Sequence, residues 1–343
     1  MNTSATIRSD FVRKSRLSLN PETLRQTRQS YNPSEISHYK EREDFTDVDW
    51  DSYKSKWSNE REKTEGVYDI AGLEKGLALQ ADELAPGLRV KKMLTTFPWR
   101  DPSWLVAVFF VSGSISFTIN AFFSLLPLLD PSIAFPTLAS LAIPATLFIG
   151  AAFFNAGGIL DIFGAINADR GAFVAIKTQG GSLSPPEYHA ALIGSTTWIW
   201  KAPPGKFSEL TATSRSFQAN LIQLSGGIIL TISAFAGAPG ILDPMGAWFP
   251  WLVFAPLVLG GSLFWFASMI LMIHQQDSWL RPKPSSPDWF GAFLNMVGGF
   301  GFAMTGVFLL QSDFLAAAWA SFVGSWTFLL GSILGWYISV DVI

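Results

Sequence analysis

Six long apolar segments, none with a lysine or arginine in its interior, constrain the fold of this chain more than any other feature. A bilayer core about 30 Å thick requires roughly 20 apolar residues in helical form. Each segment meets that length, and Gly and Pro occur inside several of them, as membrane helices tolerate. We therefore predict an all-α membrane protein with six transmembrane helices, at about 104–126, 140–162, 217–237, 249–273, 289–310 and 319–338.

Charge divides the chain into two regions. Residues 1–100 contain 17 of the 24 Lys and Arg and 16 of the 27 Asp and Glu. Few aliphatic residues occur before Leu73, so most of this region cannot bury a core and we expect it to be disordered. The sequence thus predicts a mostly disordered tail at 1–100 and a six-helix transmembrane domain at 101–343. The net charge of −3 argues against nucleic-acid binding, which requires a concentrated basic face.

The basic residues near the apolar segments predict the orientation. They precede the first segment, or follow the second or the fourth, and the three alternate turns contain none. The positive-inside rule then places both termini and the long loop 163–216 in the cytosol. The rule does not distinguish the plasma membrane from an endomembrane. The residues concerned are Lys91, Lys92, Arg100, Arg170, Lys177, Lys201, Lys206, Arg215, Arg281 and Lys283.

The apolar segments pair into a threefold repeat. In the odd segments a glycine is followed after four residues by a bulky apolar residue, and after seven by Asn, Ser or Thr. The even segments share a glycine followed after seven residues by Gly or Ser. This pattern predicts three related αα-hairpins, with the longest insertion between the first and the second. The glycines are Gly113, Gly226 and Gly298 in the odd segments and Gly150, Gly157, Gly261, Gly324 and Gly331 in the even ones.

The repeated small and polar residues admit two interpretations. Positions i, i+4 and i+7 lie on one helix face, where small residues allow close helix contact and polar groups hydrogen-bond across it. Alternatively, the polar positions line a path for a solute. No segment shows a clear break at matching positions, which a broken-helix transporter would have. The polar positions at issue are Asn120, Asn155, Gln223, Ser233, Asn295 and Thr305.

The third hairpin, Trp289 to Trp336, resembles the YrhK-like two-helix membrane domain through Asn295, Gly298, Gly299, Trp319, Gly324, Ser325 and Gly331. The second hairpin matches the same pattern through Gln218, Gln223, Gly226, Trp251, Pro256, Gly261 and Ser262. The first hairpin departs from it most. The whole of 101–340 resembles multi-pass fungal integral membrane proteins of unknown function. The resemblance therefore implies an architecture of tandem hairpins and no activity.

Asp161 is the best charged candidate inside a membrane segment, where charge is a functional hypothesis by default. It lies four residues after Gly157, on the same face. The favoured interpretation, however, is that the second helix ends by Leu160, which would place Asp161 in the cytosolic headgroup layer.

No catalytic pattern is present in the sequence. The chain has no cysteine and three histidines without metal-ligand spacing, so we expect no enzyme activity, no metal and no cofactor. A structural or regulatory membrane protein is the favoured class. The alternative is a transporter or channel for a small, uncharged solute.

Regulation is predicted in the tail. Arg precedes a hydroxyl by two residues at Ser18, Thr27 and Ser30, a pattern that suits a basophilic kinase. Phosphate there would cancel the attraction of the basic stretch to anionic lipid. The lipid bilayer is the expected partner, and a cytosolic partner of the tail is left open.

Overall fold

The computed structural model describes residues 2–18, 86–174, 187–276, 278 and 280–340. Thr27 and Ser30 lie outside these residues, as does the part of the tail at 19–85 that was predicted to be disordered. The chain divides into two compact units, Met1–Arg13 with Arg89–Ile343, and Lys14–Leu88. The second unit is described at residues 14–18 and 86–88, which are helical. All contacts below lie within the first unit.

The described residues form nine α-helices. The two that precede the bundle are α1 (Thr3–Ser18) and α2 (Pro86–Thr95). The helices of the bundle are α3 (Pro102–Leu129), α4 (Ile143–Ile166), α6 (Arg215–Ala236), α7 (Ala255–His274), α8 (Pro287–Leu310) and α9 (Phe314–Ser339), and α5 (Lys206–Thr213) lies in the long loop. All six bundle helices are long and apolar enough to cross a membrane. The predicted fold class, an all-α protein with six membrane helices, is confirmed.

The six helices form a closed ring in chain order. Each helix contacts the next one, and α9 returns to contact α3. Short connections make neighbours antiparallel, so the helices pair into the three predicted hairpins, α3–α4, α6–α7 and α8–α9. We call the end of the ring at Pro102, Ile166 and Arg215 the basic end, because the loops that contain Lys and Arg connect the helices there.

Helices α4 and α7 begin irregularly. A π-helical turn precedes each of them, at Leu138–Ala142 and Pro250–Phe254. Pro144 and Pro256 follow in the first turns, and since proline has no N–H it cannot complete an α-helical hydrogen bond there. Helix α9 has no such turn, and Asp313 caps it by accepting from the Ala316 N–H at 3.0 Å. The irregular turns lie at the beginning of the second helix of each of the first two hairpins, and both spans, Leu138–Ile166 and Pro250–His274, are continuous.

The described part of the loop between the first and second hairpins lies at the basic end. Its strands β1 (Ala172–Val174) and β2 (Glu187–His189) pair antiparallel, with Phe173 opposite Tyr188. Asn167, just after α4, exchanges two hydrogen bonds of 2.9 Å with the backbone of Ile199. This exchange ties the loop to the end of the helix.

Candidate functional site

One bulky apolar side chain from each bundle helix meets its counterparts at the centre of the ring. The rings of Phe154 and Phe328 are 5.7 Å apart, and those of Phe117 and Phe302 are 5.3 Å apart. Aromatic pairs at such distances are in direct contact. All six side chains are buried in one continuous cluster. We call this the axial cluster: Phe117, Phe154, Leu230, Phe264, Phe302 and Phe328.

Glycines make room for the axial cluster. A Cβ added to Gly113 would lie 2.5 Å from the Phe154 ring, and one added to Gly150 would lie 2.5 Å from the Phe117 ring. The second hairpin repeats this exchange with Gly226 against Phe264 and Gly260 against Leu230, and in the third Gly298 meets Phe328. Five of the six axial side chains therefore pack on a glycine of the partner helix, and Phe302 is the exception, because Gly324 meets the backbone of Gly298 and Gly301 instead.

The predicted packing glycines all contact another helix. At each of the eight, an added Cβ would be no more than 3.1 Å from an atom of a different helix. One register differs from the sequence alignment: Gly260, not Gly261, is equivalent to Gly150 and Gly324. Gly261 instead faces the backbone of Ala303 on α8. The adjacent glycines made both registers possible in the sequence.

The polar residues seven positions after the odd-helix glycines bind backbone carbonyls at the irregular helix starts. Asn120 Nδ2 donates to Ile143 O at 2.6 Å, and Ser233 Oγ donates to Val253 O at 2.6 Å. In the third hairpin, whose second helix starts regularly, Thr305 Oγ1 donates to Gly301 O of its own helix at 2.9 Å. These side chains therefore tie each odd helix to the irregular start of its partner helix in the first two hairpins.

The remaining predicted polar positions lie between helices. Asn155 Nδ2 donates to Thr231 Oγ1 at 2.6 Å and so links the first hairpin to the second. Asn295 is buried against Gly331, and Gln223 is buried on α6. These residues do not converge: Asn120 and Ser233 lie at the end of the bundle opposite Asp161.

Asp161 lies inside α4 and is fully buried at the basic end. The favoured sequence interpretation, a helix ending by Leu160, is wrong because α4 continues to Ile166. Asp161 Oδ2 accepts from the Thr3 N–H at 2.9 Å, and Oδ1 accepts from the Ser4 N–H at 2.7 Å. A carboxylate is favourable at a helix N-terminus, where free N–H groups and the helix dipole meet it. Asp161 therefore caps α1, a distant part of the chain.

Side chains of the same segment bind two further helices. Asn2 Nδ2 donates to the Ser103 carbonyl, and Ser4 Oγ is 3.0 Å from Ser103 Oγ on α3. Thr3 Oγ1 donates to Ser216 O on α6 at 3.2 Å. The start of the chain is thus held between α3, α4 and α6. We call Asp101, Ser103, Asp161 and Ser216 the docking site.

A buried ion pair completes the docking site. Arg8 donates to both carboxylate oxygens of Asp101, at 2.8 and 3.1 Å, and the two side chains are 3% and 6% exposed. Asp101 also caps α3 by accepting from the Ser103 N–H at 2.8 Å. The bidentate geometry of Arg and carboxylate is the strong form of such a pair.

The end of the tail is attached as well. Lys92 Nζ on α2 donates to Val340 O at 3.0 Å, and the Arg89 guanidinium lies 5.0 Å from the Tyr337 ring centre. Residues 14–88 are therefore joined to the bundle through anchored segments on both sides.

Sequence reasoning missed the docking site apart from Asp161. Asp101 carries a recognisable signal, an Asp-Pro at the start of an apolar segment, which is typical of a helix N-cap. Asn2, Thr3, Ser4 and Arg8 carry none, because a polar start is also typical of a disordered tail. Ser18 is the last residue of α1, so this candidate phosphosite lies in a helix.

Comparison with protein-family profiles, curated proteins and solved structures gives no match. Among the residues that the structure describes, no three His, Asp or Glu side chains form a group that could hold a metal ion. The six long apolar helices define the class: a polytopic membrane protein with six spans.

Proposed function

We propose that this protein is a structural or regulatory membrane protein whose bundle does not conduct solutes. The axial cluster carries the proposal. One side chain from each of the six helices fills the ring axis, where a path between three surrounding hairpins would have to run. Tight aromatic packing there excludes water, and a solute path needs polar groups or space.

The hydrogen bonds of the intramembrane polar residues support the same conclusion. Asn120 and Ser233 bind carbonyls of irregular helix starts, and Asn155 binds Thr231. Groups with these partners serve helix packing, which is the favoured interpretation of the repeat. We propose no reaction for this protein.

The basic end faces the cytosol in this proposal, because the basic loop residues gather there. The tail then serves as the regulatory part, with phosphorylation at Ser18, Thr27 or Ser30 and a cytosolic partner as its means. The threefold glycine–ring packing supports an origin from one repeated hairpin, in line with the resemblance to tandem YrhK-like domains of fungal membrane proteins.

Reconstitution into liposomes tests the proposal. We expect the purified full chain to leave urea and glycerol permeability equal to that of protein-free vesicles in stopped-flow shrinkage assays. A pore-forming peptide in the same vesicles is the positive control for detection. Permeation above the protein-free rate would overturn the proposal in favour of the transporter or channel alternative.

A further inference from the structure

The Asp161 carboxylate on α4 binds the first residues of the chain to the bundle. Its two carboxylate oxygens accept from successive backbone N–H groups, those of Thr3 and Ser4. Lys92 and Arg89, further along the chain, contact the C-terminal end of α9, so the chain is anchored to the bundle both before and after residues 14–88 for as long as this contact holds.

We propose that residues 2–11 are a releasable latch on the docking site, and that negative charge added to the Ser4 side chain opens it. This inference rests on the proposed regulatory function and gives it a mechanism. When the latch is released, Arg89 and Lys92 still anchor the chain before α3 to the bundle. The latch therefore has two states, docked on the bundle and released from it.

The contacts of the latch suit reversible attachment. Most of them are hydrogen bonds, made by Asn2, Thr3, Ser4 and Arg8. Water replaces such bonds on release, so the neutral ones each contribute little net free energy, whereas the bonds to the Asp161 and Asp101 carboxylates contribute more. The apolar contacts of the latch are few: Ala5 is buried, Ile7 packs at the edge of the cluster around Phe217, and the Phe11 ring lies 5.4 Å from the Tyr188 ring.

Ser4 is the position at which added charge acts most strongly. Its hydroxyl is fully buried, 2.8 Å from Asn2 Oδ1 and 3.0 Å from Ser103 Oγ, and its backbone N–H binds the Asp161 carboxylate. Ser4 Cβ also lies 2.5 Å from where a Cβ of Gly164 would be, so no volume is left for a larger group. An anion at Ser4 would face Asp161 without water, which is strongly unfavourable.

Phosphorylation is the natural source of that charge. A protein kinase transfers the γ-phosphoryl group of ATP to Ser4 Oγ: the new O–P bond forms, the bond to the ADP leaving group breaks, and the hydroxyl proton leaves. Because Ser4 is buried when the latch is closed, the kinase acts on the open state. Phosphate then shifts the population towards that state, which it alone fits.

Cysteine labelling tests the proposal, since the chain contains no native cysteine. Ala5→Cys places a thiol at a buried latch position, and Ser9→Cys places one at an exposed position of the same helix. In the full-length protein in detergent, we expect a polar maleimide to label Ala5→Cys about tenfold or more slowly than Ser9→Cys. Equal rates would overturn the latch.

A second experiment adds negative charge at position 4. Ser4→Asp should raise the labelling rate of Ala5→Cys at least about tenfold further than Ser4→Ala does, because the alanine variant loses two neutral hydrogen bonds but keeps the backbone N–H bonds and adds no charge. Ser9→Asp adds the same charge on the exposed face and should have no effect. An unchanged rate with Ser4→Asp, or an equal rise with Ser9→Asp, would overturn the role of Ser4.

Two readouts separate this inference from the function on which it rests. Size-exclusion elution and the thermal midpoint of the bundle show that Ser4→Asp is folded, and Asp161→Ala should open the latch without charge at Ser4. Protection of Ala5→Cys in Asp161→Ala would contradict the role of Asp161. Solute permeation bears only on the proposed function, so either idea can fail alone.

Discussion

Asn155 on α4 donates its side-chain N–H to Thr231 Oγ1 on α6 at 2.6 Å, and so joins the first hairpin to the second inside the bundle. The Thr231 hydroxyl in turn donates to Gly227 O at 2.9 Å. Measured interhelical hydrogen bonds in membranes contribute modest free energies because unfolded helices also find partners. This pair therefore offers a direct measure of how strongly the hairpins are coupled.

Asn155→Ala and Thr231→Val should each lower the free energy of unfolding by about 1 kcal/mol. The double variant should lose less than the sum, because the two residues share one bond. Unfolding of the reconstituted or detergent-solubilised protein by a double-mutant cycle provides the measurement. Strict additivity would show that the bond contributes nothing.

Gly261→Ala should destabilise the bundle by about 1–3 kcal/mol, because overpacking forces helices apart. The added Cβ would meet the backbone of Ala303, which cannot rotate away as a side chain could. Gly335→Ala is the matched control, since no atom lies within 4 Å of its Cβ position. Thermal midpoints in detergent compare the two, and equal midpoints would contradict close α7–α8 packing.

Phe328→Ala should lower the free energy of unfolding by about 2–4 kcal/mol through the cavity that it leaves. The transfer contribution is small in a membrane, because lipid is as apolar as the cluster. Phe300→Ala, on an exposed position of α8, removes the same atoms without a cavity. If both variants unfold alike, the ring axis is not packed as described.

Arg8→Ala should weaken docking of the first residues strongly. It leaves the Asp101 carboxylate buried without its charged partner, a change that costs about 3–5 kcal/mol in comparable buried pairs. The slow labelling of Ala5→Cys reports the loss directly. Arg281→Ala, at an exposed position in the loop after α7, serves for comparison and should preserve protection.

The raised pKa of Tyr188 leads us to expect that the stability of the folded protein declines at alkaline pH. Burial raises the pKa of its phenol, against the opposing effect of the hydrogen bond from the Gly171 N–H. A pKa raised in the folded state gives a contribution that is complete below the unfolded pKa of about 10 and is lost as pH rises through the folded pKa. Tyr188→Phe should reduce the decline of the thermal midpoint above pH 10, and an identical decline would exclude Tyr188 as its cause.

The sequence was informative where the signal is local. The six spans follow from hydropathy, and the glycine spacing located Phe117, Leu230 and Phe302 of the axial cluster, because both patterns are set within one helix turn or two. Phe154, Phe264 and Phe328 were missed, because the pattern of the even segments contained only small residues. In the second hairpin Gly260 and Gly261 also allow two registers, and contacts with α6 and α8 decide between them.

Contacts between distant parts of the chain were beyond the sequence. Ser4 and Asp161 are 157 residues apart, and Arg8 and Asp101 are 93 apart. Nothing in the residues near Asp161 indicates that a polar start far upstream satisfies it. The same isolated carboxylate is compatible with a headgroup position, a solute site or a cap for another helix.

Attachment on both sides of residues 14–88 has a consequence for proteolysis. A single cut within that segment would leave two polypeptides, yet the fragment that carries Asn2 to Arg8 would remain bound to the bundle by its own contacts. The two pieces would elute together under native conditions and separate on denaturation. A nicked protein of this kind would keep its docked start without a covalent connection to it.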